Sequence, residues 1–319
     1  MKKIIFSVMA IAALVGCSKD QTIETPAAER IGFGQPFVDN ATRLAIDPSY
    51  SGTKSLTSFN VYGTVTGNGN TVNIFDGDAV TGKVGDAVWA CTEEQYWTPS
   101  CSYNFTAIAD ATSVATDATT GMPTSITFNE NTTAGGDVLI AIATATTNEA
   151  GTPSQNPVAF TFSHLLSKVK FTFTKATYNN TRYTFNVKDI KLTNPYKQGV
   201  YNIANGTWGS QDIRTSEINF GQLEAVISKT ALSQESNYER MLVPATYTDL
   251  GVSYTLVTLL DGKEIGSVTK TATIGATTAV TFAAGKAYNI IAALGDNNLI
   301  TFTVKELNGW DTETNITIP

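Results

Sequence analysis

An all-β chain folded as two β-sandwich domains in tandem is what this sequence predicts, and three observations predict it. The composition is one: Thr, Gly, Asn, Val and aromatic residues abound, charged residues make up only 15%, and long Ala/Leu/Glu/Lys helical patterns are missing. The second is a recurring alternation of apolar and polar residues, the period of a half-buried strand. The third is the regular return of turn residues between these runs, the spacing of a sandwich. A chain of 319 residues is long enough for two such domains.

In the first half, "SLTSFNVYGTV" (55–65) places Leu56, Phe59 and Val61 among polar neighbours. "DAVWAC" (86–91) and "SYNFTAIA" (102–109) follow. "TSITFN" (124–129) alternates with Ile126 and Phe128 on one face, and "DVLIAIATA" (137–145) reads as a core strand. "TNEAGTPSQNP" (147–157) is rich in turn formers and is the best linker candidate. It divides the chain into an N-terminal domain, 31–156, and a C-terminal domain, 157–319.

The second half opens on "VAFTFSHLLSKVKFTFTKA" (158–176). Val169, Phe171 and Phe173 share one strand face; Lys168, Lys170 and Thr172 share the other. "HLLSK" is the one candidate helical turn. "YTFNVKDIKLTN" (183–194) repeats the alternation. Hairpins are expected at Asn205-Gly206, at Asp261-Gly262 and near Gly295-Asp296.

The front end has a different composition. Lys2 and Lys3 precede an apolar run from Ile4 to Val15, the pattern of a secretory signal. The run is short of the roughly 20 apolar residues of a bilayer span. Leu14-Val15-Gly16-Cys17 resembles the bacterial lipobox, which implies cleavage after residue 16 and acylation of Cys17. Several acyl chains on one residue would anchor stably. Residues 17–30 are polar and aperiodic, a tether. Ser18 rather than Asp follows the Cys, which by resemblance to other bacterial lipoproteins implies the outer membrane, and "SKDQ" resembles a surface-export signal.

The formal charge is −7, and removing the two positive charges of Lys2 and Lys3 takes it to −9. Nucleic acid, which demands clustered cations, is not an expected partner. Cys91 and Cys101 flank "TEEQYWTPS", and in an exported chain they make a candidate disulfide.

Enzyme chemistry finds little footing. His164 is the only histidine and sits between Phe162 and Leu165-Leu166, a structural setting. Zinc sites draw on several His or Cys, so no metal and no cofactor are expected. Asp76 and Asp78 in "FDGDAV" lack further ligands at calcium-loop spacing and read as a turn between strands. Glu93 and Glu94 are adjacent, so on a strand they point to opposite faces rather than forming a carboxylate pair.

Seven blocks occur in order: "ERIGFGQPFVDNATR", "LTSFNVYG", "YWTPSCSYNFTAIA", "VAFTFSHLLSKVKFTFT", "MLVPATY", "FAAGKAYNI" and "ITFTVKELNGWD". Together they resemble the fimbrillin family of Bacteroidales, the type V pilins and their relatives. The resemblance implies two transthyretin-like β-sandwiches, export as a lipoprotein, and assembly with other fimbrial subunits, as a homo- or hetero-polymer, into adhesive surface fimbriae. It also implies a trypsin-like maturation protease that removes an N-terminal strand, whose groove a neighbour's strand then fills.

In "IGFGQPFVD", Ile31, Phe33 and Phe37 lie on one face and would be the displaced strand's anchors. Pro36 cannot donate to a ladder, which makes this an edge strand or a strand end. Arg43 follows in a polar loop, so the expected cut is between Arg43 and Leu44. Arg30 is the alternative, but a cut there leaves the strand in place. Donor-strand candidates lie at the C-terminus: Ile300, Phe302 and Val304, or Ile316 and Ile318. The short run after Trp310 suggests a tip, accessory or anchor role rather than a stalk. The competing expectation is an outer-membrane lipoprotein that binds glycans, with Trp97, Tyr96 or Trp208 stacking on sugar.

Overall fold

The computed structural model describes residues 28–38, 46–47, 54–83, 85–129, 136–175, 182–209, 214, 217–295 and 300–307. Every regular element among them is a strand. Seven strands form one sheet in the order Phe37–Val38, Thr161–His164, Leu139–Thr146, Ser102–Ala109, Ser58–Gly67, Asn70–Thr81, Ala90–Cys91. One face of this sheet supplies an aromatic cluster that includes Phe59, Phe75, Phe105, Phe160 and Phe162.

Two further sheets pack face to face over a second cluster. One holds Ser233–Glu235, Ser167–Thr174, Ala287–Leu294 and Ile300–Glu306, with Arg240–Leu242 also paired to Ser167–Thr174. The other holds Ile218–Gly221, Tyr183–Leu192, Leu250–Leu260 and Lys263–Ile274. Val169, Phe171 and Phe173 enter the core from the first, and Val187, Val252 and Tyr254 from the second. Val169, Phe171 and Phe173 are spaced by two along one strand, and Val252 and Tyr254 by two along another, as a strand face demands.

A fourth sheet joins the halves. Pro123–Asn129 pairs with Gln198–Asn202, and Ser113–Thr116 and Thr207–Gly209 flank them. Ile126 and Phe128 turn inward as the alternation predicts. They meet Tyr62 and Ile108 on the back of the seven-stranded sheet, together with Leu165, Leu166, Met241 and Val243.

The turn signals at Asn205-Gly206 and Asp261-Gly262 are both hairpins, with positive φ at Gly206 (69°), Asp261 (50°) and Gly262 (79°). The third expected hairpin pairs Ala287–Leu294 with Ile300–Glu306.

Other expectations are corrected. "HLLSK" is not helical: Thr161–His164 ends, Leu165 and Leu166 bend, and Ser167–Thr174 begins. Residues 147–157 connect two neighbouring strands of the seven-stranded sheet. Val158, Phe160 and Phe162 belong to that sheet's cluster, so the chain leaves it only between Phe162 and Val169. "FDGDAV" is neither a turn nor a loop. Gly77 (φ 79°) is an extra residue inside Asn70–Thr81, a β-bulge that shifts the register between Val61 and Tyr62. The second face of Ser167–Thr174 is covered rather than bare: the ammonium of Lys170 donates to Glu235 at 2.9 Å and that of Lys168 lies 3.5 Å from Glu239.

Cys91 and Cys101 are free thiols, against the expected disulfide. Cys91 is opposite Val80, which is opposite Phe59. Cys101 precedes Ser102, which is opposite Thr66. Phe59 and Thr66 are seven residues apart on one strand, roughly 23 Å at strand rise. A disulfide needs Cα atoms within about 7 Å.

The phenols of Tyr247 and Tyr254 in the C-terminal cluster are pushed up to about 12 by burial. The unfolded chain ionises them near pH 10, so it loses protons first. Stability is intact below about pH 10 and falls as pH rises from about 10 towards 12. In an alkaline titration, loss of the β circular-dichroism signal is expected to coincide with tyrosinate absorbance in that window.

Candidate functional site

Residues 29–38 run between two stretches, 89–97 at one end of the seven-stranded sheet and 158–162 at the other. On one side, Trp97 N–H donates to Glu29 C=O (2.9 Å), Ile31 N–H to Gln95 C=O (2.8 Å), and Trp89 N–H to Phe33 C=O (2.7 Å). On the other, Val158 N–H donates to Gly32 C=O (2.8 Å), Gly34 N–H to Val158 C=O (2.9 Å) and Phe37 N–H to Phe160 C=O (2.9 Å). Phe37–Val38 then runs parallel to Thr161–Phe162. The segment therefore closes the sheet on itself. The expectation of an edge strand holds for Phe37–Val38, which ends the sheet, but Phe33 is bridged on both flanks.

Side chains lock the segment in place. Phe33 is fully buried, edge-on to Phe75 and Phe105 and stacked on Phe160 with centroids 5.9 Å apart. Ile31 is buried as predicted, but Phe37 is 41% exposed and Val38, at 3%, is the buried anchor instead. The cause is a bulge. Gly34 bonds Val158 and Phe37 bonds Phe160, so one extra residue lies on the segment's side. Pro36, which has no N–H to give, sits in that gap. The slip reverses the faces beyond it.

Asn156 holds the start of the segment. Its Oδ1 accepts from Gly32 N–H (2.9 Å), and its Nδ2 donates to Arg30 C=O (3.1 Å) and Glu29 Oε1 (2.7 Å). Gln35 Oε1 accepts from Gly85 N–H (2.8 Å). Arg30 pairs with Glu94 (3.0 Å) and bridges Tyr96. Sequence reasoning missed Asn156, Trp89 and Val158, because their roles depend on a strand more than 50 residues away.

Cys17, Arg43, Leu44, Ile316 and Ile318 lie outside the described residues. Ile300, Phe302 and Val304 are half-buried on Ile300–Glu306, which is bonded to Ala287–Leu294 on one side and ends its sheet. Phe302 packs 6.2 Å from Tyr254 within the C-terminal cluster.

The sugar-stacking expectation fails for Trp97. It is 2% exposed, with Tyr103 edge-on at 4.6 Å. Trp208 is half-buried and donates its indole N–H to Leu165 C=O at 2.9 Å. Of the three aromatics only Tyr96 is exposed. His164 is buried against the carboxylate of Asp137, a structural pair.

Fold and site together define an all-β protein whose N-terminal sheet is completed by one short, doubly bonded segment. The chain belongs to the fimbrillin-like family, whose sequence model matches residues 42–310. Three solved structures share the fold. A fimbrial protein from Bacteroides vulgatus is 17% identical, with 88% of this chain and 99% of that one covered at a TM-score of 0.61. A proposed cell adhesion protein from Bacteroides uniformis is 16% identical (89% and 98% covered, TM-score 0.52). Another from Bacteroides ovatus is 16% identical (90% and 100% covered, TM-score 0.52). A search of curated proteins found no match.

Proposed function

We propose that this chain is a subunit of an adhesive surface fimbrium, and that residues 31–38 hold the place of a strand later supplied by a neighbouring subunit. The observation that carries this reading is the double-sided bonding of the segment. Its departure would open a slot with hydrogen-bonding groups on both rims and an aromatic floor. Each buried anchor is worth about 1.5–3 kcal/mol and each backbone bond about 0.5–1.5 kcal/mol net. An empty slot is thus strongly unfavourable, and an incoming strand restores the loss by β-augmentation.

The lipobox-like Cys17 delivers the precursor, acylated, to the outer membrane. A trypsin-like protease then cuts between Arg43 and Leu44. Arg30 is a poor target in the folded protein, because the residues around it are already paired on both sides, whereas a protease needs an extended, unpaired substrate. The donor is drawn from the C-terminal end of the neighbour. Ile300–Glu306 is committed to its own core, which favours the stretch carrying Ile316 and Ile318. The two-domain division assigns the seven-stranded sheet to the acceptor half and the face-to-face sheets to the donor half.

The test is to treat purified full-length protein with a trypsin-like protease and follow assembly on gels. Heat-resistant ladders that require both the cut and residues 312–319 are expected. Proteolysed protein that stays monomeric would overturn the reading.

A further inference from the structure

The outer face of the sheet that holds Ser167–Thr174 brings an amine, a carboxamide, a carboxylate and a hydroxyl together. Lys170 is the ladder partner of Asn289 on the parallel neighbour, and Thr172 is the partner of Glu235 on the antiparallel one. Ladder partners share a face. Val169 and Phe171, with their partners Tyr288 and Ile290, enter the core, so Lys170, Thr172, Asn289 and Glu235 all lie on the opposite side. Neighbouring strands are about 4.8 Å apart, a gap that the four-carbon stem of a lysine spans.

The polar contacts give each group a role. Lys170 Nζ donates to Glu235 Oε1 at 2.9 Å, so the amine carries a proton acceptor. The Thr172 hydroxyl donates to Asn289 Oδ1 at 2.9 Å, which draws electron density from the carboxamide carbon. Lys170, Thr172 and Asn289 are each only 6% exposed. Water is therefore scarce where it would compete as a nucleophile, and holding a charged ammonium there is costly. Two reactants fixed on adjacent strands also need no further loss of freedom to meet.

We propose that Lys170 and Asn289 join in an intramolecular amide bond, with Glu235 as the proton carrier. Glu235 takes a proton from the Lys170 ammonium, and the freed lone pair attacks Asn289 Cγ. The carbonyl π electrons move to Oδ1, where the Thr172 hydroxyl stabilises the charge. Glu235 hands its proton to Nδ2, the Cγ–Nδ2 bond breaks with its electron pair leaving on ammonia, and the C=O re-forms. Glu235 then removes the surplus proton from the new amide nitrogen and yields it to the departing ammonia. One amide forms and one ammonium ion leaves; no oxidant or cofactor is consumed. The chain enters the C-terminal sheets through Ser167–Thr174 and leaves them through Ala287–Leu294 and Ile300–Glu306. The bond therefore ties the entry strand to the exit side, and tension along a fibre passes through it rather than through the strands between. That use rests on the fimbrial reading above; the bond itself does not.

The test is mass spectrometry of a tryptic digest of the purified, folded full-length protein. Residues 169–175, uncut at Lys170, and residues 287–305 are expected as one joined peptide, lighter than the two by one ammonia. Glu235→Gln keeps the side chain's length and an acceptor for Lys170, so circular dichroism should match the parent while the joined peptide falls at least tenfold. Asn289→Ala should abolish it. Recovery of Lys170 and Asn289 only in separate, unmodified peptides from the folded parent overturns the proposal. So does a joined peptide that has lost water instead of ammonia, which would place the bond at a carboxylate. A joined peptide undiminished in Glu235→Gln overturns the role of Glu235. A bonded protein that never enters fibres keeps the bond and sinks the fimbrial reading.

Discussion

Replacing Phe33 with Ala is expected to lower the stability of the uncut protein by about 3–5 kcal/mol. The ring is fully buried and meets Phe75, Phe105 and Phe160, which come from three different strands or strand ends. Such a site cannot collapse into the void, because its walls are fixed by separate ladders. The same change at the exposed Phe37 should stay within about 0.5 kcal/mol. Urea unfolding of the two variants side by side reads the difference. Equal losses would mean that the segment is held by other side chains than Ile31, Phe33 and Val38. In assembly, Phe33→Ala should speed the segment's departure, because the backbone bonds remain but their main anchor is gone.

Asp137→Ala should cost a similar amount, about 3–5 kcal/mol, through a different mechanism. Its carboxylate meets His164 Nδ1 where both side chains are almost fully buried. Removing the acid takes away the partner of Nδ1 on a ring that water cannot reach. The position magnifies the effect. His164 ends the last inner strand of the seven-stranded sheet, and Leu165, Leu166 and Ser167 lead straight into the shared cluster and the C-terminal sheets. Thermal melts of Asp137→Ala and Asp137→Asn check this, with the Asn variant between the other two because it can still bond the ring. An unchanged melting temperature in Asp137→Ala would contradict a structural role for the pair.

What the sequence made legible was local. Val169, Phe171 and Phe173 announce a strand face because period two needs no partner to be seen. Asn205-Gly206 and Asp261-Gly262 announce hairpins because few other residue pairs adopt positive φ cheaply. The errors came where one residue reverses the period. Gly77 inserts a bulge into a strand that reads as a turn. The bulge at Gln35-Pro36 exchanges Phe37 for Val38, although the alternation before it is correct. Long-range partners were hidden as well. Nothing in Pro123–Asn129 indicates that Gln198–Asn202 will lie beside it, and nothing in "TNEAGTPSQNP" indicates that the next strand returns to the same sheet. The candidate disulfide failed for the same reason: closeness in sequence placed the two thiols at opposite ends of a long hairpin. The closing segment was legible as an apolar strand near the N-terminus. Its second rim was not, because "DAVWAC" reads as a strand of its own and nothing in it, or beside Gln95, names residues 29–33 as the partner.

Mass spectrometry of the protein recovered from assembled surface fibres reports its first residue, and with it the fate of the sheet-closing piece. The account predicts Leu44, with the aromatic slot occupied by a peptide from the next molecule. A chain from mature fibres that still carries Ile31, Phe33 and Val38 in their original seats would contradict it.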